Sequence, residues 1–317
     1  LDHVVALAEK LDIKIMLCMG EGNVRANREF FNSDEAKTRY KNRLRYIVAR
    51  WGYSPAIGMW EFFNEIDNVQ HRDRNGVIPA AEIVAWHDQM SAYLKDIDPF
   101  DHITTTSISH RDLEGLNSVP GLDINQKHIY NATVSIPNNI RSYSDKFGKP
   151  YIIGEFGYEW DWSKNFDDFA DGMNMDFSRG LWYGLFCDTP VTPMSWWWEW
   201  FDEHGMIPYI RNVRYINDMM LAAGNGSFEH LKTQNQGKAE TFAVRCGDKT
   251  FVYVYNGSDK DLDSTSIELG TKGSVKVARL DTEKVKLGKA AKMETDGTLE
   301  LGSLALAPLK EAIFVIY

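Results

Sequence analysis

Cysteine is scarce in this sequence and never paired. Cys18, Cys187 and Cys246 are scattered without any C-x-x-C spacing, so no disulfide framework or zinc–thiolate site is implied, and an odd number leaves at least one thiol free. The eight histidines form no H-E-x-x-H or comparable ligand pattern, so no catalytic metal and no other cofactor is expected. Basic residues are outnumbered, 35 Lys and Arg against 45 Asp and Glu. A formal charge of −10 lacks the basic patches that nucleic acid or an anionic membrane surface demands, which excludes both as main partners. No apolar run reaches the length of a membrane span. A secretion leader is missing too, but the chain opens at Leu1 inside an amphipathic pattern, as the later part of a longer polypeptide would.

What is present is a globular composition. The 317 residues are 44% hydrophobic, enough for one large domain and a small one. Ten Trp and fourteen Tyr are many for this length. Such rings fill cores, and they also line surfaces that bind sugars, peptides and other amphipathic ligands.

Along the chain, helical and strand patterns alternate. "LDHVVALAEKLDI" places Val4, Val5, Leu7, Ala8 and Leu11 at helical spacing, and the apolar run "KIMLCM" follows. A helix is expected from Ser33, its N-cap, to Gly52, and the strand "AIGMWEFFNEID" comes next. "PAAEIVAWHDQMSAYLKDI" reads as a helix with Pro79 near its start and Asp98-Pro99 as its stop. The segments "HITTTSIS", "LDINQKHIY", "PYIIGEFG" and "TPMSWWWEW" read as further strands, with helices in "NNIRSYSDKFG", "FDDFADGMNMDFSRGLWYGLFCD" and "NVRYINDMMLAA".

Six strands alternating with helices predict a parallel α/β architecture. A doubly wound sheet is disfavoured because no Gly-rich phosphate loop follows any strand. The expectation is a (β/α)8 TIM barrel lacking its first two strands, over residues 1–229, with the missing N-terminal portion on the same or another chain. From residue 230 to 317, short alternating segments such as "TFAVRC", "TFVYVYNGS", "SVKVARLD" and "EAIFVIY" are separated by turn residues and predict a small antiparallel β-sandwich with an accessory role.

In such a barrel, side chains at the C-terminal ends of strands face the active site. Asn64-Glu65, His128 with Tyr130, and Glu155 occupy those ends, on strands 4, 6 and 7 once two absent strands are counted. Strands 4 and 7 lie across the barrel mouth, so Glu65 and Glu155 can address one cleft. Two opposed carboxylates are the machinery of glycoside hydrolysis: one is protonated to release the leaving oxygen, and the other is ionised to meet an oxocarbenium-like centre. Glu61 shares the strand face of Glu65 and reads as a buried structural carboxylate.

"WEFFNE", "HIY", "GEFG" and "SWWWEW", in this order, resemble the retaining TIM-barrel glycosidases with catalytic glutamates on strands 4 and 7, especially the cellulase/mannanase group of family 5. The resemblance covers roughly residues 1–225. It implies a retaining β-glycoside hydrolase acting on poly- or oligosaccharides, secreted or periplasmic. Glu65 would be the general acid/base and Glu155 the nucleophile. Asn64 would bond the sugar 2-hydroxyl, Tyr130 would orient Glu155, and His128 would lie near the acid/base. Either Trp196 or Trp198 would stack under the sugar. Beside it, Trp160 and Trp162 make the loop after strand 7 a candidate subsite, while the acids there, Glu159 and Asp161, read mainly as solvated. Two departures stand out: Cys18 and Met19 replace the group's strand 3 His, and its strand 2 Arg has no counterpart. A non-catalytic carbohydrate-binding protein on the same scaffold is the alternative. Neighbouring strand residues point to opposite faces, so Asn64 and Glu65 can serve one sugar only if the backbone is irregular there.

Overall fold

The computed structural model describes residues 1–20, 27–71, 76–158, 165–234 and 238–317. They fall into two compact units, Leu1–Phe156 and Gly157–Tyr317. The expected boundary near residue 229 lies inside the second.

In the first unit, α1 (Asp2–Leu11) leads into β1 (Ile15–Cys18), and α2 (Arg28–Asn32) and α3 (Asp34–Trp51) lead into β2 (Ile57–Glu61). Then α4 (Ile66–His71) and α5 (Ala80–Ile97) precede a strand in two pieces, β3 (Ile103–Thr105) and β4 (Ser107–Ile108). The series continues with β5 (Asn125–Tyr130), α6 (Ile136–Phe147) and β6 (Tyr151–Gly157). Strands β1, β2 and β3 pair in parallel, β4 and β5 do the same, and β6 lies beyond β5. Backbone bonds from Phe62 N–H to Thr105 O and from Ser107 N–H to Phe63 O, both 2.9 Å, carry the ladder past Thr106. Each strand therefore lies beside its predecessor, without the reversal of order that a doubly wound sheet requires.

Local chemistry explains the boundaries. Ser33 Oγ accepts the Ala36 N–H at 3.3 Å and caps α3, which stops at Gly52. Along α5, Ile83, Trp86, His87, Met90 and Leu94 recur every three or four residues and are buried. Trp86 packs against Phe30, Phe31, Tyr40, Phe62 and Phe63, so one indole joins α2, α3, α5 and the end of β2. Buried His87 is a core histidine: burial depresses its pKa to about 4, and Nδ1 bonds the Ile83 carbonyl at 2.8 Å.

The second unit begins with α7 (Ala170–Phe186), α8 (Trp198–Glu203) and α9 (Ile207–Gly224). Strands β7 (Glu229–Leu231), β8 (Thr233–Gln234), β9 (Ala239–Cys246), β10 (Lys249–Asn256), β11 (Thr265–Asp281), β12 (Lys286–Leu287), β13 (Ala291–Leu301) and β14 (Glu311–Ile316) follow. They pair antiparallel in the order β12-β11-β14-β10-β9-β7, with β13 and β8 also on β11. The expected strand "SVKVARLD" is part of one longer strand, β11, whose register breaks between Glu268 and Lys272. Val252, Val254, Ile267, Leu299 and Phe314, from both halves of this ladder, share one apolar cluster.

"TPMSWWWEW" is not a strand. The chain leaves extended geometry at Trp197 (φ −84°, ψ 44°), and α8 begins at Trp198. Trp197 is drawn inward instead, its Nε1 donating to the Tyr158 carbonyl at 2.6 Å and its ring meeting Phe166 edge-on.

A polar knot joins α7 to the sheet of this unit. Glu311 accepts hydrogen bonds from Ser178 Oγ, Trp182 Nε1 (3.2 Å) and Tyr253 OH (3.1 Å). Removing the carboxylate strands three donors at once. Glu311→Ala should cost about 3 kcal/mol in denaturant unfolding, and Glu311→Gln less than half of that. Equal stability of the alanine variant and wild type would refute this role.

Candidate active site

The polar centre of the first unit grows from the end of β2. Contrary to expectation, that strand stops at Glu61, and Phe62–Glu65 form an irregular passage into α4. Glu65 itself has φ +52°, a left-handed conformation uncommon for a residue with a side chain. The irregular backbone expected at Asn64-Glu65 is thus present. It is held by three hydrogen bonds: Asn64 N–H to Gly20 O at 2.7 Å, Glu65 N–H to Ser107 Oγ at 2.8 Å, and Asn68 N–H to Glu65 O at 2.9 Å.

Alternation along β5 puts Gln126, His128 and Tyr130 on one face. His128 Nδ1 lies 3.0 Å from Glu65 Oε1 and 3.2 Å from Glu155 Oε2. The Tyr130 hydroxyl also donates to Glu155 Oε2. Among the described residues, both donors to Glu155 converge on that one oxygen. The nearest polar atoms of Glu65, His128 and Glu155 all lie within 4.8 Å of one another. In shape this trio could admit a divalent ion, but an ion would have to displace the proton on the nitrogen that faces both carboxylates.

The charges explain why that proton stays. Burial alone would lower the pKa of His128, but its hydrogen bonds to Glu155 and Glu65, and their charges, raise it to about 9. Glu65 is shifted the other way. Burial opposes its ionisation, yet the imidazolium of His128 and hydrogen bonds from Ser109 and Asn68 hold it below the usual carboxylate range.

Beneath the trio lies a second polar layer. Gln126 Nε2 donates to Glu61 Oε1 at 2.7 Å, and burial raises the pKa of Glu61, favouring its neutral form. Cys18, exposed at the end of β1, donates its thiol to the Gly20 carbonyl at 3.0 Å. Glu61 is therefore where the sequence reading put it, a buried carboxylate satisfied by neighbours. Gly154 makes room for this layer: a Cβ there would sit 2.2 Å from Gln126 Oε1.

Sequence reasoning missed Asp67, Asn68, Ser107 and Ser109. Buried Asp67 accepts the backbone N–H groups of Ser109 (2.8 Å), His110 (3.0 Å) and Arg111 (3.0 Å), fixing the turn after β4. Asn68 Nδ2 donates to Glu65 Oε2 at 2.8 Å. The signal for Asn68 is its position three residues after Glu65, legible only once a helix is known to start at Ile66. Of the remaining expected residues, the Asn64 side chain is half-buried. Trp196 and Trp198 belong to the second unit, where they are 47% and 58% exposed while Trp197 is buried. Trp160, Trp162, Glu159 and Asp161 lie outside the described residues.

No family model matches the sequence. A probable mannan endo-1,4-beta-mannosidase F of Neosartorya fischeri is 24% identical over 200 residues, which is 51% of this chain and 42% of that protein. A mannan endo-1,4-beta-mannosidase F of Aspergillus fumigatus is 25% identical over 241 residues, 61% of this chain and 52% of that protein. The chain thus spans about half the length of the curated relatives it matches. A solved glycoside hydrolase superposes with a TM-score of 0.71 at 15% identity, covering 99% of this chain and 75% of the other. A family 5 glycoside hydrolase from Bacteroides vulgatus gives a TM-score of 0.65 at 15% identity, covering 99% and 73%. These structures share the fold.

The two pKa shifts predict opposite stability limbs. The stability that protonated His128 gains from its carboxylates is complete below its ordinary value of 6.5 and is lost as pH rises through about 9. Glu65, with a depressed pKa, contributes stability present above its ordinary value of 4.5 and lost as pH falls below that. Thermal unfolding should therefore show a Tm that declines between about pH 6.5 and 9, and His128→Asn should flatten that decline. An unchanged alkaline slope in the variant would assign the decline to other groups.

Proposed function

We propose that this chain, a member of the family 5-like cellulase/mannanase clan of glycoside hydrolases, cleaves β-linked poly- or oligosaccharides with retention of anomeric configuration. The observation that carries the reading is the spacing of the two carboxylates. Their nearest oxygens lie within 4.8 Å, with His128 Nδ1 facing both. Retaining glycosidases bring the two groups to about 5–5.5 Å, whereas inverting enzymes need roughly 6.5–9.5 Å to admit a water.

Glu155 is the nucleophile. Tyr130 and His128 bind its Oε2, which leaves Oε1 to attack the anomeric carbon. Glu65 is the acid and then the base. In the free protein the shared proton rests on His128, 3.0 Å from Glu65 Oε1. Transfer across that bond yields a neutral Glu65 that protonates the departing oxygen, and it also strips Glu155 of a charged partner as attack begins. In the second step Glu65 takes a proton from water, and the glycosyl-enzyme ester is hydrolysed.

Asn64 supplies an amide for the sugar 2-hydroxyl; in the second unit, Trp196 and Trp198 have exposed indole faces of the kind on which sugars stack. The names of the relatives make β-1,4-mannan the first substrate to test. A polymeric substrate places the enzyme outside the cytoplasm, secreted or periplasmic, and no described helix is long and apolar enough to cross a membrane. Among the described residues, strand β1 is the edge of its ladder. The antiparallel strands from residue 230 onward act as an accessory sandwich.

Glu155→Ala should lower turnover by about 10⁴-fold or more, and azide should restore it while giving the glycosyl azide of inverted configuration. Polarimetry or NMR of the wild-type reaction should show the β-anomer first. Turnover by Glu155→Ala without azide, or an α-anomer as the initial wild-type product, would refute the double displacement.

A further inference from the structure

The helix α4 is only six residues long and starts straight after Glu65. Its placement depends on the left-handed backbone at Glu65, which for a residue carrying a side chain costs about 1 kcal/mol or more. That turn brings the first helical turn back against the Glu65 side chain. Asn68 then meets Glu65 twice, through its backbone N–H at the Glu65 carbonyl (2.9 Å) and through Nδ2 at Oε2 (2.8 Å). The same helix reaches Glu65 by a second route. Asp67 pins the backbone of Ser109, whose side chain helps to hold the Glu65 carboxyl below the usual carboxylate range.

The two oxygens of Glu65 are thereby distinguished. Oε1 faces His128 Nδ1 and Oε2 faces the Asn68 amide. An imidazole nitrogen can give or take a proton, whereas an amide N–H only donates. We infer that Asn68 is a positioning residue for the acid/base. Its amide fixes the carboxyl plane and keeps Oε2 unprotonated, so the proton of neutral Glu65 sits on Oε1, on the side of His128. This inference rests on the proposed role of Glu65 and adds to it a device that selects which oxygen works. Nothing in the sequence motif "NEID" marks that device.

The test compares Asn68→Ala and the isosteric Asn68→Asp with wild type on aryl β-glycosides of graded leaving-group acidity. A phenyl leaving group needs a proton from Glu65; a 2,4-dinitrophenyl group does not. Both variants should lose about 100-fold in kcat/KM on the phenyl glycoside and stay within about 3-fold on the dinitrophenyl glycoside. Carbon-13 NMR of the Glu65 carboxyl should show its titration moving up by about one pH unit in Asn68→Ala, because a donor to the ionised form is gone. Equal losses on both substrates with an unmoved titration would mean that Asn68 only supports the fold, and the inference would be overturned. Circular dichroism of Asn68→Asp, which keeps the side-chain shape, guards against simple misfolding. Glu65→Ala separates the two levels of the reading. If that variant still hydrolyses the phenyl glycoside, the acid/base assignment falls and Asn68 with it. If it fails on phenyl and retains dinitrophenyl cleavage while both Asn68 variants match wild type, only the role of Asn68 falls.

Discussion

Two carboxylates held within 4.8 Å of each other repel unless something of opposite charge stands between them. In this protein that something is one imidazole nitrogen, Nδ1 of His128. The rest of the first unit can be understood as the means of keeping it there. The period of β5 aims His128 and Tyr130 the same way, so one strand serves both acids. Parallel pairing through β2, β3, β4 and β5 sets the height at which Glu65 can meet that strand. The proton is a structural element, since without it both acids would face each other partly desolvated.

Close to Glu65, His128 and Glu155, the buried pair Glu61 and Gln126 does a different job. A carboxyl buried this deeply favours its neutral form, so it adds little negative charge beneath two groups that already repel each other. Gln126 can lie flat over β6 only because residue 154 has no side chain, and that glycine immediately precedes Glu155. The second unit contains its own buried polar knot, in which a carboxylate from β14 gathers donors from α7 and β10. Both follow the same rule: a polar group withdrawn from water must find its partners within the fold.

Much of this organisation is legible in the sequence. The cap at Ser33, the stop at Gly52 and the breadth of α5 follow from local propensity and periodicity, because those helices bury ordinary apolar stripes. Glu65, His128, Tyr130 and Glu155 come together because strand ends carry polar residues where burial gives way to solvent. What misleads is the density of aromatics. The run Trp196-Trp197-Trp198 looks like a strand, but burial of the single ring of Trp197 against Tyr158 and Phe166 overrides β-propensity, and a helix begins. Similarly, Phe62 and Phe63 extend the apolar pattern of β2 past Glu61, where the strand assignment ends although backbone bonds to Thr105 and Ser107 continue, and both rings pack on Trp86. Asn68 and Asp67 escape notice for another reason. Their partners are made by tertiary turns, and no spacing rule encodes them.

The left-handed backbone at Glu65 has an evolutionary consequence. Glycine and asparagine occupy that region of φ and ψ with less strain than glutamate, so the position is one where the chain holds a residue against its own conformational preference. On the proposed role of Glu65, a demand for the carboxylate is what keeps it there. In a lineage released from that demand, drift toward Gly or Asn at this site would be downhill in stability, while the apolar residues around it would remain under selection for packing. If Glu65 is the acid/base proposed above, the identity of this one residue in a distant relative would distinguish a working catalyst from a retired scaffold more sharply than overall similarity does.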